Sequence, residues 1–172
     1  MSGRRIIGLF LTINVTLIVI LSLFRPFHDA HGATISGTSL LTDTQVPENI
    51  RQTLNAKCAD CHSSQSRLPF YGRIPPVSWL VQHDITEGRQ HLDFASWQTY
   101  TQEQKLDLLN RIAAEAKTGE MPPKSYTFVH RGAKLTADDQ QALYAWAKAE
   151  RRRIKKAEDV NKADDTNKAE GK

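Results

Sequence analysis

Hydrophobic residues along this chain form one long uninterrupted run and several shorter helical stripes. The run covers Ile6–Phe24, is 19 residues long and contains no charged residue. Further along, apolar positions recur three and four residues apart, which is the spacing of one helical face. Because no segment alternates convincingly with a period of two, the pattern predicts an all-α fold.

Four helices are predicted between residues 46 and 149, each from an apolar stripe. The stripes are Val46, Ile50, Leu54; Val77, Leu80, Val81, Ile85 (ending near Gly88); Leu106, Leu109, Ile112, Ala113, Ala116; and Leu143, Trp146, Ala147. Pro47 is expected to be the first residue of the first helix. Capping-box patterns at Thr101 and Thr136 mark the starts of the last two helices. Gly119 is a typical residue to end the third.

These patterns divide the chain into four parts. Residues 1–24 are a transmembrane helix or signal anchor, and residues 25–45 are a polar tether. Residues 46–149 are the folded domain. Residues 150–172 are a charged tail, which is expected to be disordered because it has few large apolar side chains to bury.

The N-terminal part is predicted to direct export. Arg4 and Arg5 precede the apolar run and are expected to stay in the cytoplasm. At about 1.5 Å per residue, a helix of this length nearly spans a bilayer core of about 30 Å, which favours a single-pass anchor in the inner membrane. Cleavage near Ala30-His31-Gly32, giving a soluble periplasmic protein, is the alternative. Either way the domain is expected on the periplasmic side.

Composition and charge exclude several classes of protein. The net charge of +4 resides at the two ends, since residues 34–149 carry equal numbers of acidic and basic residues. The folded part therefore lacks the basic surface that nucleic-acid binding requires. A hydrophobic fraction of 40% excludes both a polytopic membrane protein and a wholly disordered chain. Two cysteines are too few for a disulfide-dense scaffold.

The motif with the clearest chemistry is Cys58-Ala59-Asp60-Cys61-His62, the C-x-x-C-H pattern of covalent c-type haem attachment. The Cys58 and Cys61 thiols can add to the two vinyl groups of one haem, and His62 can then bind its iron as the proximal ligand. A thioredoxin-like pair would need a βαβ setting, and a structural zinc site would need a fourth ligand. A plain disulfide remains an alternative in an oxidising compartment. The favoured cofactor is one covalent haem c.

Met121 is the candidate for the distal iron ligand. It is the only methionine besides Met1, and it lies in the segment GEMPP, away from any apolar stripe. The two prolines stiffen the backbone, which suits a loop that directs one side chain. The competing histidines, whose default role is surface hydrogen bonding, are His83, His91 and His130.

Two further hydrogen bonds are hypothesised, one to the proximal histidine and one to a haem propionate. A carbonyl next to Pro75 or Pro76 is a candidate acceptor for the His62 Nδ1–H, which would orient the ring. The candidates for hydrogen bonding to a haem propionate are Arg73, Trp79 and Arg89.

The chain resembles a small haem-binding domain of bacterial membrane-tethered c-type cytochromes. The resemblance lies in the order and spacing of four segments: CADCHSS, LPFYGRIPPVSWL, HDITEGRQHLDFASW and GEMPPKSY. The resemblance covers roughly residues 46–149. It implies an all-α, cytochrome c-like fold with haem attached to Cys58 and Cys61. It also implies His62 as the proximal ligand and supports Met121 as the distal ligand.

The expected function is therefore that of an exported monohaem cytochrome c that transfers single electrons. No acid–base–nucleophile constellation is evident, so the chain is not expected to be an enzyme. The expected partners are haem, the membrane and a redox protein, with no nucleic acid. The alternative is a haem-based ligand sensor with a displaceable distal ligand. A dihaem peroxidase would need a second C-x-x-C-H motif, which the sequence lacks.

Overall fold

The computed structural model describes residues 3–23, 39–43 and 45–170, and every regular element in these ranges is helical. The predicted all-α fold is thus confirmed. The predicted cleavage site and most of the tether lie outside the described residues. The α-helices are α1 Gly3–Leu23, α2 Glu48–Lys57, α3 Ala59–His62, α4 Val77–His91, α5 Gln102–Thr118, α6 Lys124–Val129 and α7 Ala137–Glu170. Short 3-10 turns occupy Phe70–Arg73, Phe94–Ser96 and Arg131–Ala133.

The N-terminal helix α1 is separate from the folded core. Its span Gly3–Leu21 is long and apolar enough to cross a membrane, and none of it is buried against the rest of the chain. The predicted apolar helix is therefore present, in a form that suits both a membrane anchor and a signal sequence.

The core is built mainly from α2, α5 and α7. Most positions of the apolar stripes predicted for these helices are buried, including Ile50 and Leu54 of α2, Leu109 of α5 and Leu143 of α7. Each buried side chain of this size contributes about 1.5–3 kcal/mol. The longest of the packed surfaces lies between α5 and α7, and the ring of Phe94 is fully buried in the same cluster.

The helix start that the sequence predicts from a capping box at Thr101 agrees with the structure. Thr101 Oγ1 accepts from the Gln104 amide at 3.2 Å, and the Gln104 side chain accepts from the Thr101 amide at 2.8 Å, which completes a capping box. Gly119 ends α5 with φ +71°, the left-handed conformation that favours glycine. Pro47 immediately precedes α2 rather than opening it.

The stripe predicted for α4 is the exception. Ile85 is buried, but Val77 and Leu80 are 42% and 59% exposed. The helix also continues beyond Gly88, where the sequence predicted its end. An added Cβ at Gly88 would lie 3.2 Å from both Cβ and the carbonyl oxygen of Cys61. The glycine therefore serves a close approach of α4 to α3, and not a helix terminus.

The folded region extends beyond the predicted bounds of 46 and 149. Leu40 is fully buried, and its amide donates to the Phe94 carbonyl at 2.9 Å. At the other end α7 continues without a break, and Ile154 is buried in the core cluster. A pair of adjacent leucines in a polar segment has no helical periodicity, and neither has one isoleucine among charged residues, so the sequence did not indicate their burial. Disorder further along the tail stays a prediction.

Candidate functional site

The four predicted site residues line one cavity of about 430 Å³. Cys58, Cys61 and His62 come from the junction of α2 and α3, and Met121 comes from the loop between α5 and α6. The volume falls within the range of about 300–1,000 Å³ that is usual for cofactor sites. The apolar wall includes Leu54, Leu92, Phe94, Leu108, Ile112, Ala116, Leu135 and Leu143. The structure thus brings the four residues together, and their individual roles stay predictions.

The two thiols are displayed by a single tight turn. The backbone amides of Cys61 and His62 both point to the Cys58 carbonyl, at 3.2 and 3.1 Å. Burial raises the pKa of the Cys58 thiol to about 12 and that of the Cys61 thiol to about 11. Both groups are therefore protonated at neutral pH. Cysteines that exchange disulfides have lowered pKa values, so this environment disfavours a thioredoxin-like role.

The His62 ring is held in one tautomer. Its Nδ1 lies 2.8 Å from the Leu92 carbonyl oxygen, which can only accept, so Nδ1 carries the proton and Nε2 keeps its lone pair. Burial lowers the pKa of His62, although the bond to Leu92 partly opposes this, so the ring is neutral at pH 7. A neutral imidazole with a free Nε2 is the form that binds a metal ion.

The acceptor for His62 is not the one suggested by the sequence. It comes from Leu92, which follows the last residue of α4, and not from the backbone beside Pro75 or Pro76. Carbonyls at the C-terminus of a helix lack partners within the helix, which leaves them available to a side chain. This pairing depends on how α4 packs against α3, and no local pattern reports it.

Met121 is the most accessible of the four residues. Its loop starts at Gly119, where α5 ends, and closes at Pro123, which precedes α6. The Met121 side chain lines the cavity but remains 40% exposed. The arrangement therefore combines two thiols and an imidazole, all partly buried at the junction of α2 and α3, with one thioether at the solvent boundary.

The competing histidines differ in their surroundings. His91 also lines the cavity. His130 has both nitrogens engaged, with Nε2 2.9 Å from the Tyr71 hydroxyl and Nδ1 3.2 Å from the Tyr126 carbonyl. His83 lies on α4 with its Nε2 3.6 Å from a Glu87 oxygen. Among these three, His91 is the one that shares the cavity with His62.

The propionate candidates do not line the cavity. Arg89 donates to the Ser63 carbonyl at 2.6 Å and to Ser66 Oγ at 3.0 Å, so it secures the turn after His62. Among the lysine and arginine residues, Lys57 and Arg111 line the cavity. Which cations face the cavity depends on how the helices pack, and no local sequence pattern reports it.

Sequence reasoning missed a hydrogen-bonded pair, Asp60 and Tyr126, at the cavity wall. The Tyr126 hydroxyl donates to Asp60 Oδ2 at 2.7 Å, and Asp60 Oδ1 accepts from Arg67 Nε at 2.8 Å. Burial, together with the Asp60 carboxylate, raises the pKa of Tyr126, so the hydroxyl remains a donor. The intervening positions of C-x-x-C-H carry no chemical requirement, and the sequence therefore gave no signal for this pair.

Comparison with known proteins adds three findings. The model of a family described as a haem-binding domain matches residues 16–149, which include the cavity and its four candidate residues. Cytochrome c peroxidase of Escherichia coli (strain K12) is 27% identical over 97 residues, or 55% of this chain. The match spans only 21% of the peroxidase. No solved structure matches.

Proposed function

The chain belongs to the haem-binding domain family, and from this premise we propose that it is an exported monohaem c-type cytochrome that transfers single electrons. The observation that carries the proposal is the cavity shared by Cys58, Cys61, His62 and Met121. Two thiols, a neutral imidazole and a thioether match the groups that hold a haem c in electron carriers. We propose that the chain is not itself an enzyme.

The Cys58 and Cys61 thiols would hold the haem covalently. Each thiol adds across one vinyl C=C bond, with sulfur bonding to one carbon and hydrogen to the other. Because burial keeps both thiols protonated, each side chain brings the hydrogen that the addition consumes. The close approach of Gly88 to Cys61 limits movement of the second thiol.

His62 and Met121 would bind the iron of the haem. The bound haem supplies an iron that gains and loses one electron. The Leu92 carbonyl orients the His62 ring and increases its basicity as a ligand. The Met121 thioether favours the ferrous form and raises the potential relative to a second nitrogen ligand. Ligation by the same two side chains in both oxidation states would suit electron transfer.

The proposed location is the inner membrane, with the folded region on the periplasmic side. Support comes from the apolar helix α1 and from Arg4 and Arg5, which belong to the cytoplasmic end under the positive-inside rule. Cleavage after export would instead give a soluble periplasmic carrier.

A ligand-binding haem protein is the second candidate, and the 40% exposure of Met121 favours it. A thioether at the solvent boundary is easier for a diatomic ligand to displace than a buried one. The similarity to part of cytochrome c peroxidase supports haem binding in the shared region. A dihaem peroxidase needs two C-x-x-C-H motifs, and this sequence has one.

Carbon monoxide binding to the ferrous protein tests the proposal. Native protein is expected to bind carbon monoxide slowly or hardly at all, and Met121→Ala is expected to bind it readily, because the thioether no longer occupies the iron. Val129→Ala is a matched control, since Val129 is exposed on the adjacent helix and does not line the cavity. Rates come from stopped-flow absorbance. Equal rates for native and Met121→Ala protein would favour the ligand-binding alternative.

A further inference from the structure

We propose that Tyr126 is a positioning residue that holds the Met121 loop at the cavity through its hydrogen bond to Asp60. The inference rests on the proposed function, because it assumes that Met121 is an iron ligand. It assigns to Tyr126, which lies outside the C-x-x-C-H motif, a role in keeping the Met121 thioether at the iron.

The helix α6, which follows Met121, has little apolar packing to hold it. It is six residues long and contains no buried residue. Phe128 and Val129 at its C-terminal end are 79% and 58% exposed. Burial of apolar area is the main source of helix stability in a domain, so α6 must be fixed by other contacts.

Polar contacts of Tyr126 and His130 provide that attachment. The Tyr126 hydroxyl bonds to Asp60 across 66 residues of sequence, at 2.7 Å. The His130 ring stacks on Tyr126 with centroids 4.2 Å apart, and it also bonds to the Tyr71 hydroxyl at 2.9 Å. Of these contacts, the Tyr126–Asp60 bond is the one that joins α6 directly to the haem-attachment turn.

Asp60 has a second partner besides Tyr126. It lies between Cys58 and Cys61 in the short helix α3, and its second oxygen binds Arg67, which also donates to the Asn55 carbonyl at 2.8 Å. Tyr126 is therefore bonded to a group whose position relative to the two thiols is fixed. A hydrogen bond to a charged acceptor is among the stronger single contacts in a protein.

The connection from α6 to Met121 is short and stiff. The Pro123 carbonyl accepts from the Thr127 amide at 3.0 Å, so Pro123 belongs to the first turn of α6. Only Pro122 separates this turn from Met121. A displacement of α6 is thus transmitted to Met121, and loss of the Tyr126 hydroxyl should raise the fraction of molecules in which the distal position is open.

The test uses full-length, haem-loaded protein carrying Tyr126→Phe, which keeps the ring and removes the hydroxyl. Carbon monoxide should bind the ferrous variant about tenfold or more faster than native protein, given the strength of hydrogen bonds to charged groups. The sulfur-to-iron charge-transfer absorbance of the ferric variant should weaken. Amide hydrogen exchange over residues 119–130 should quicken. Tyr144→Phe is the control, because among the described residues that hydroxyl accepts a hydrogen bond from Lys148 of its own helix, at 3.4 Å.

Asp60→Ala removes the same bond from its other end and serves as a second variant if Tyr126→Phe loads haem poorly. It should speed carbon monoxide binding by a similar factor, and the double variant should show no further increase. Additive effects would mean that the two residues act separately, which would overturn the inference.

The Met121→Ala background separates failure of this inference from failure of the proposed function. There Tyr126→Phe should leave the carbon monoxide rate unchanged, because no thioether remains to be positioned. An equal acceleration of carbon monoxide binding in both backgrounds would show that Tyr126 acts on the cavity directly. A native rate in Tyr126→Phe would show that the hydroxyl has no effect. Either result would overturn this inference and leave the proposed function intact. Fast binding by native protein would instead overturn the Met121 assignment, and the inference with it.

Discussion

The protonation state of the candidate site residues depends on their immediate surroundings. The Leu92 carbonyl selects the His62 tautomer, and burial keeps the Cys58 and Cys61 thiols protonated. Met121 differs because it lies at the solvent boundary. The surroundings of Cys58, Cys61 and His62 are therefore more closely defined than those of Met121.

Replacement of the two cysteines tests covalent attachment. Cys58→Ser and Cys61→Ser should each leave a single thioether and reduce the yield of haem-loaded protein, because serine hydroxyls do not add to vinyl groups. The double variant should carry no covalent haem. Mass spectrometry and acid–acetone extraction measure this, with native protein expected to gain the mass of one haem and to keep its colour. Colour that survives extraction in the double variant would show attachment elsewhere.

At the scale of the helices, the end of α2 is joined to the start of α7 by an ion pair next to Cys58. Lys57 Nζ, one residue before Cys58, lies 2.7 Å from Asp139 Oδ2 and 2.9 Å from the Lys134 carbonyl. The two side chains are only 15% and 20% exposed. Burial alone would raise the pKa of Asp139, but hydrogen bonds from Lys57 and Thr136 outweigh it and lower the pKa to about 2.

The Lys57–Asp139 contact should make stability depend on acid pH. The pKa of Asp139 is depressed from 3.8 on folding, so its stabilising effect is complete above about pH 4 and is lost as pH falls through about 2. Asp139→Asn should cost on the order of 1 kcal/mol at pH 7, allowing for solvent screening, and should flatten the stability profile between pH 4 and 2.

Urea unfolding of the haem-loaded protein, followed by circular dichroism from pH 7 to 2, measures this dependence. Asp138→Asn is the matched control, because it removes a carboxylate from the same helical turn without affecting Lys57. If both variants lose stability equally, the effect belongs to the charge of the helix N-terminus and not to the ion pair.

The whole molecule combines an apolar N-terminal helix with a folded region in which residues 34–149 have balanced charge. None of the span Gly3–Leu21 is buried against the folded region. Residues 34–149 carry no net charge, so attachment of this part of the chain to a membrane would depend on α1. The location of the protein is thus decided by whether α1 remains part of the mature chain.

N-terminal sequencing of the natively expressed protein tests this. We expect a start at Met1 or Ser2 and recovery with the membrane fraction after washing at high salt, because insertion of a 19-residue apolar helix is not reversed by screening of charge. A variant with Arg4 and Arg5 replaced by glutamate should insert less efficiently with the folded region outside. A mature start near residue 33 would instead show cleavage and a soluble periplasmic protein.

Features that depend on neighbouring residues in sequence could be predicted without the structure. The helical stripes of α2, α5 and α7, the capping box at Thr101 and the left-handed Gly119 follow from side-chain spacing and local backbone preferences. The C-x-x-C-H motif is also local, since one helical turn sets the separation of its thiols. The fold class and the candidate attachment residues were therefore within reach of the sequence.

Features that join distant segments required the tertiary structure. The bond from His62 to Leu92, the Tyr126–Asp60 pair and the burial of Leu40 each link residues that are 30 or more positions apart. The exposure of Leu80 was likewise invisible, because a periodic stripe shows that a face is apolar but not what covers it. Such pairings depend on how helices pack, and many packings satisfy the same hydrophobic pattern, so only the folded chain selects one.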